Sequence, residues 1–336
     1  MKRLLPFAPL LLLAALLLSP SAALSGARQG LDIWWSRVFP ALLPSFISVK
    51  LAQELGLLRA ASRHPRGQLV AVVSFSMVSG APNGAKLLHG LREDGRLSAQ
   101  EIEGLLPWIN SVRPAFLVSI IASVPLKNKA LFLPMAVAFY GSILCLAVPR
   151  VLRIKSVSFR TNTEEMPFSQ AFAAAVENAM LDMLRVGGCI VFACTLLSLL
   201  RPLFPGDKAY AAMAGLLEVS TGTALVGELS LPLRLKASLL FGVSAFGGLS
   251  LALQTICCYP GLKLVPYLMK KLLLGVLTTL TCFFLFPLFP GVSVVFASRQ
   301  QVLSRSLTIG VLLLSSALSL AFIGVLSLMM AQRKKA

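Results

Sequence analysis

Acidic residues and histidine are scarce in this chain: 13 Asp and Glu stand against 31 Lys and Arg, and there are only 2 His in 336 residues. His64 and His89 both fall near loops, which leaves little for metal or triad chemistry. The 6 cysteines, Cys145, Cys189, Cys194, Cys257, Cys258 and Cys282, lie within or at the edges of apolar runs and form no C-x-x-C pair. They read as small buried hydrophobes, not as a disulfide frame or a metal site. No nucleophile elbow, Walker loop or metal-ligand cluster stands out. The expectation is therefore a protein that is not an enzyme, has no cofactor and does not hydrolyse ATP itself, with any coupling ion left open. There is also no basic domain, RNA-type aromatic motif or zinc-finger spacing, so the net charge of +18 does not point to nucleic acid.

What the chain has instead is apolar length. With 57% apolar residues, 13% charged residues and a mean hydropathy of +0.82, it is too apolar for an ordinary soluble domain. The fold class expected is all-α, a polytopic membrane protein with the bilayer as its first partner. The Lys and Arg residues sit between apolar runs, and placing them gives about 17 on the inner side against about nine outside, in line with the positive-inside rule.

In chain order, Met1-Lys2-Arg3 and the run 4–24 form a signal anchor or signal peptide, so residues 1–30 are set apart. Trp34 and Trp35 open a span from Ile33 to about Leu58, loosened by Pro40 and Pro44, and Arg59, Arg63 and Arg66 follow on the inner side. The segment 68–91 begins and ends on that side, which makes it a re-entrant hairpin. Ser98-x-x-Glu101 resembles a capping box and starts a helix through 105–124. The span 130–149 returns to the basic loop Arg150, Arg153, Lys155 and Arg160. Residues 161–183 are a polar linker with an amphipathic helix that sets Phe172, Val176, Ala179 and Met183 opposite Glu177 and Asp182. The second half, 184–290, repeats the order: a span, a hairpin at 210–231 entering from outside, and a span at 235–256. Lys263, Lys270 and Lys271 mark the inner side again. Residues 291–336 supply a last helix and a basic tail. The whole amounts to about eight crossings and two re-entrant hairpins, with 31–160 and 184–290 as an inverted repeat and both termini cytoplasmic if the first helix is retained.

Polar interruptions in the apolar runs carry the candidate site. Ser79, Gly80, Pro82, Asn83 and Gly84 break the first hairpin, and backbone left unpaired at membrane depth is tolerated only against protein or a water-filled cavity. The plainer alternative is a tight polar turn at the surface. Asn110 and Arg113 interrupt the next helix about 9 to 14 Å along it at 1.5 Å per residue. An Arg at such a depth faces water, a carboxylate or an anionic solute, unless it snorkels to the interface. Glu218, Ser220, Thr221 and Gly222 break the second hairpin. Glu218 could hold a polar substrate, carry a coupling proton, or pair with Arg113. Phe246–Gln254 forms the fourth interruption, in which Gly247-Gly248 permits close approach and Gln254 offers hydrogen bonds.

These breaks also carry a family resemblance. S-G-A-P-N-G-A-K at 79–86, N-S-V-R-P at 110–114, L-E-V-S-T-G at 217–222 and G-G-L-S-L-A-L-Q at 247–254 resemble the ordered motifs of sporulation integral membrane proteins of the YlbJ type, within the nucleoside-recognition or Gate domain group. Residues 32–46 are similar to the family's opening segment. The resemblance implies a multispanning protein of spore-forming Firmicutes with the architecture of concentrative nucleoside carriers. It also implies movement of dipicolinate, a small aromatic dicarboxylate, across the outer forespore membrane. Val112-Arg113 stands where the family pattern has small residues, and a cation there suits a dicarboxylate better than a neutral nucleoside. The expected function is a carrier for a small anionic solute. The alternatives are a nucleoside-type carrier and a non-transporting scaffold for spore maturation. Expected partners are the lipid bilayer, the solute, and a second copy or other sporulation membrane proteins.

Overall fold

The structure, a computed structural model, describes residues 7–55, 65–93, 95–118, 132–154 and 166–288. Among them every regular element is helical, with no strand. Four helical stretches of the described residues are long and apolar enough to cross a membrane: Pro134–Arg153, Phe168–Leu203, Leu233–Cys258 and Leu264–Leu285. The expected crossing at 306–330, the stretches 56–64 and 119–131, and the end of the basic loop with the start of the linker at 155–165 lie outside the described residues.

The chain begins with α1 (Ala8–Leu18), which meets the following helix at a bend of 105°. α2 (Pro20–Ile33) then runs through a π-helical turn at Trp34–Val38 into α3 (Phe39–Glu54). The residues just before Ile33, expected to lie outside the second span, are thus helical and packed. Small residues explain why: a Cβ on Gly26 would lie 2.6 Å from the Cys194 carbonyl oxygen, and one on Gly30 would lie 2.6 Å from Val191 Cα. Ser198 Oγ donates to the Ala22 carbonyl at 2.8 Å, and Trp34 Nε1 donates to that of Met183 at 3.0 Å. Partner numbers fall as those of α2 rise, so α2 lies antiparallel against α8 (Phe168–Leu200) at close range, the approach that small residues permit between helices in lipid.

α8 is one helix of 33 residues, although an interfacial piece and a separate crossing were expected. No proline interrupts it, and Ala171 and Ala173–Ala175 favour helix in its first turns. Its buried stripe is Ala171, Ala175, Ala179, Asp182, Met183 and Val186, while Phe172 is exposed. Asp182 therefore points into the protein, not away from it.

The first hairpin is α4 (Pro65–Ser79) and α5 (Asn83–Glu93), which fold back on each other so that Gly84 faces Ser76. Next comes α6 (Ala99–Ile109), opened by a complete capping box: Ser98 Oγ accepts from Glu101 N at 3.2 Å and Glu101 Oε2 accepts from Ser98 N at 2.8 Å. α6 stops at Asn110, and helix resumes only at Pro114. α7 (Phe132–Arg153) and α8 follow. The second hairpin is α9 (Asp207–Leu217) and α10 (Val219–Glu228), then α11 (Leu233–Phe246), α12 (Gly248–Cys258) and α13 (Leu264–Leu285).

α13 shows the inside-out polarity expected of a helix in lipid. Its buried face carries Tyr267, Lys271, Thr278 and Cys282, while Val265, Met269, Leu273, Val276, Leu280 and Phe284 are exposed. One hydrophobic cluster joins α4 to α7 with α10 to α13, and a second joins α2 and α3 to α8.

Candidate functional site

The polar interruptions expected from the sequence are all breaks in helix, and each hairpin tip rests on the broken helix that follows it. At the first tip Gly80 adopts φ +71°, a left-handed backbone that favours glycine. A Cβ there would also come within 2.8 Å of Arg113 Cβ. The Ala81 amide donates to the Ser111 carbonyl at 2.9 Å, so backbone freed by one break satisfies backbone freed by the other.

The side chains at this junction are buried and partly unmatched. Asn83 opens α5 at 1% exposure, and among the described residues neither its Oδ1 nor its Nδ2 has a hydrogen-bond partner; Ser79 Oγ and Asn110 Oδ1 are in the same condition. A Cβ on Gly84 would lie 3.4 Å from that Asn110 oxygen, which places the two motifs side by side. Asn110 Nδ2 is anchored, donating to Thr255 Oγ1 at 2.8 Å and to the Tyr267 hydroxyl at 3.1 Å. Arg113 is 5% exposed, and its guanidinium carbon sits 4.6 Å from the centroid of the Phe46 ring, a cation–π contact within protein. It is held inside instead of snorkelling to a surface.

Lys271 reads in the sequence as a surface marker, and the structure corrects this. It is 1% exposed, and its Nζ donates to the Asn110 carbonyl at 3.2 Å and to Ser111 Oγ at 3.3 Å. Its position in the Lys270-Lys271 pair gives no sign of burial. Lys270 takes the outer position and donates to the Glu103 carbonyl at 2.8 Å. Two buried cations, Arg113 and Lys271, thus flank the same broken helix.

The second tip is built differently. Glu218 is the N-cap of α10: Oε1 accepts from Ser220 N at 3.0 Å and Oε2 from Thr221 N at 2.6 Å. Capping is a role beyond the three expected of it, and its signal is that Glu218 directly precedes the Val-Ser-Thr start of a helix. Thr221 Oγ1 lies 3.7 Å from Cys194 Sγ, and Gly222 packs directly on Gly215 across the hairpin. Gly247 and Gly248 both have positive φ, and a Cβ on Gly248 would lie 3.0 Å from the Leu217 carbonyl oxygen. The second tip therefore seats on the break between α11 and α12. Gln254, 6% exposed, donates to Ser250 Oγ at 3.3 Å one turn back.

The structure gathers Ser79–Gly84, Asn110 and Arg113 into one cluster, and Glu218–Gly222 with Gly248 into another. α12, which carries Gln254 and Thr255, packs against α5 and also against α9 and α10.

A third polar cluster is not foreseen by the sequence motifs. Asp182 on α8 receives Lys50 Nζ at 3.0 Å, Lys86 Nζ at 3.4 Å and an Arg185 nitrogen at 3.1 Å. Lys50 and Asp182 are buried at 3% and 1% exposure, and Lys86 belongs to the first hairpin. Lys86 closes the S-G-A-P-N-G-A-K motif, but its partner is 96 residues away. The described residues contain no group of three His, Cys, Asp or Glu side chains placed to hold a metal ion.

No family model matches the chain, and no solved structure matches it at a significant level. Among curated proteins, the sporulation integral membrane protein YlbJ of Bacillus subtilis is 27% identical over 320 aligned residues, covering 80% of this chain and 78% of that protein. The likeness takes in most of the chain, and it coincides with four apolar helical stretches long enough to cross a membrane among the described residues. Over most of its length this chain is similar to a sporulation integral membrane protein of the YlbJ type.

Proposed function

We propose that the protein is a carrier, not an enzyme, and that it moves a small anionic solute across a membrane of the developing spore. The observation that carries this reading is Asn83, a buried amide with no partner for either polar atom among the described residues, next to Gly84, which faces the unmatched Asn110 Oδ1, and between helix breaks flanked by Arg113 and Lys271. Buried polar atoms are nearly always satisfied, so a cluster of exceptions is where a ligand's groups belong. Buried cations with one carboxylate cap at the far hairpin favour an anion over a neutral nucleoside.

The order of elements supports the same reading. Hairpin then broken helix occurs at α4–α6 and again at α9–α12, which we read as an inverted repeat of the kind whose substrate sites form where broken helices meet. Rocking of the halves would alternate access. Sporulation enters through the Bacillus subtilis relative, whose name records it. Within that setting, dipicolinate and the outer forespore membrane are the solute and location proposed here.

The test is uptake of dipicolinate into vesicles carrying the purified protein, with uridine as competitor and Asn83→Ala and Lys271→Met as variants. Uptake above empty vesicles, insensitive to uridine and reduced in both variants, is expected. No uptake by the parent protein for either solute would return the reading to a scaffold.

A further inference from the structure

The face of α2 turned away from α8 carries Ser21, Ser25, Arg28 and Asp32, spaced four, three and four residues apart within one helical stripe, and Ser36 of the π-helical turn follows four residues on. The stripe opens outward, while Gly26, Gly30 and Ile33 on the other face are buried. It lies at the level where α8 presents Val191 to Ser198 and exposes Phe192. At that depth it cannot face hydrocarbon without heavy cost, since charged residues in membrane segments turn to water or to polar protein. Opposite the stripe runs a groove of about 920 Å³, closed on its other side by Ser220, Thr221 and Glu228 of α10. Thr221 lies against Cys194, so the groove follows α10 from its outer turn to the tip of the second hairpin.

We infer that the groove between α2 and α10 is a hydrated vestibule leading a small polar solute to the tip of the second hairpin. For its solute this rests on the carrier reading; the presence of water in the groove does not. The lining carries Arg28 and Arg37 against Asp32 and Glu228, a balanced set. The vestibule therefore admits by polarity, and selection by charge falls to the cations deeper in the protein. The volume is ample for a one-ring solute with its hydration water.

The experiment places single cysteines at Ser25, Ser36 and Ala224, and at Leu31 as an exposed apolar control on α2, in a chain whose six native cysteines are replaced. Variants that keep the parent's melting temperature in detergent are reconstituted and treated with membrane-impermeant thiosulfonates of either charge. A thiol in an apolar setting stays protonated and inert, so the three groove positions are expected to react about tenfold or more faster than Leu31→Cys, with both reagents. Equal or slower reaction at the groove positions overturns the vestibule. So does a disulfide-linked dimer of the Ser25→Cys chain, which reassigns the stripe to contact between copies. Neither outcome touches the uptake measurement, so the vestibule and the carrier reading fail separately.

Discussion

Lys271 Nζ stands 3.2 Å from the carbonyl oxygen of Asn110, where α6 ends and its carbonyls lose their helical partners. A cation at a helix C-terminus offsets the partial negative charge there, so Lys271 stabilises the break while placing positive charge at Ser111, whose carbonyl accepts from Ala81 of the first tip. The same contact serves the fold and equips the site.

Replacing Lys271 by Met keeps the volume but removes the charge and the hydrogen bonds to the Asn110 carbonyl and Ser111 Oγ. The melting temperature in detergent is expected to fall by the equivalent of about 1–3 kcal/mol, and binding is measured well below it. Loss of a charge-assisted hydrogen bond to a bound anion, about 1.5–3 kcal/mol, corresponds to roughly 10- to 100-fold weaker binding. Calorimetric titration with dipicolinate checks this, and unchanged affinity would remove Lys271 from the site.

Gly80→Ala meets both an unfavourable φ and Arg113, and Gly222→Ala meets Gly215. Each is expected to destabilise by about 1–3 kcal/mol. Gly141, where a Cβ would have nothing within 4 Å, serves as the comparison and is expected to accept Ala without loss. Thermal melts of the three variants provide the measurement.

Asp182→Asn leaves Lys50 buried without its counter-charge and frees Lys86 of the first hairpin. The expected cost is about 3–5 kcal/mol, because breaking a buried pair strands the remaining ion. Adding Lys50→Met should recover a large part of it. A double-mutant cycle by denaturant unfolding decides the matter: additive losses would show that the two side chains act independently.

Glu218→Ala removes a helix cap and leaves the amides of Ser220 and Thr221 without their acceptors, at an expected cost of about 1–2 kcal/mol. Glu218→Gln retains one accepting oxygen and is expected to lose less. If capping is its whole role, uptake by Glu218→Gln keeps the parent's dependence on pH. A shifted profile would assign it the coupling role instead.

Much of the backbone plan is legible in the sequence because its signals are local. Glycine, proline and polar side chains inside apolar runs mark breaks wherever they fall, and all four interruptions, both hairpins and the capping box at Ser98 follow from them. The continuous helical run through Pro20–Glu54 and the unbroken α8 do not, since they pack along each other across a long separation in sequence. Gly26 and Gly30 carry no motif of their own, and their role is visible only with α8 set against them.

By itself the sequence determined that this chain lives in a bilayer and which residues occupy its polar interruptions, because hydropathy and backbone preference act within a few residues. Only the tertiary structure decided which charges are inside. Lys271 differs from Lys270, and Asp182 from Glu177, by one helix face, and burial on that face is fixed by partners up to 161 residues away.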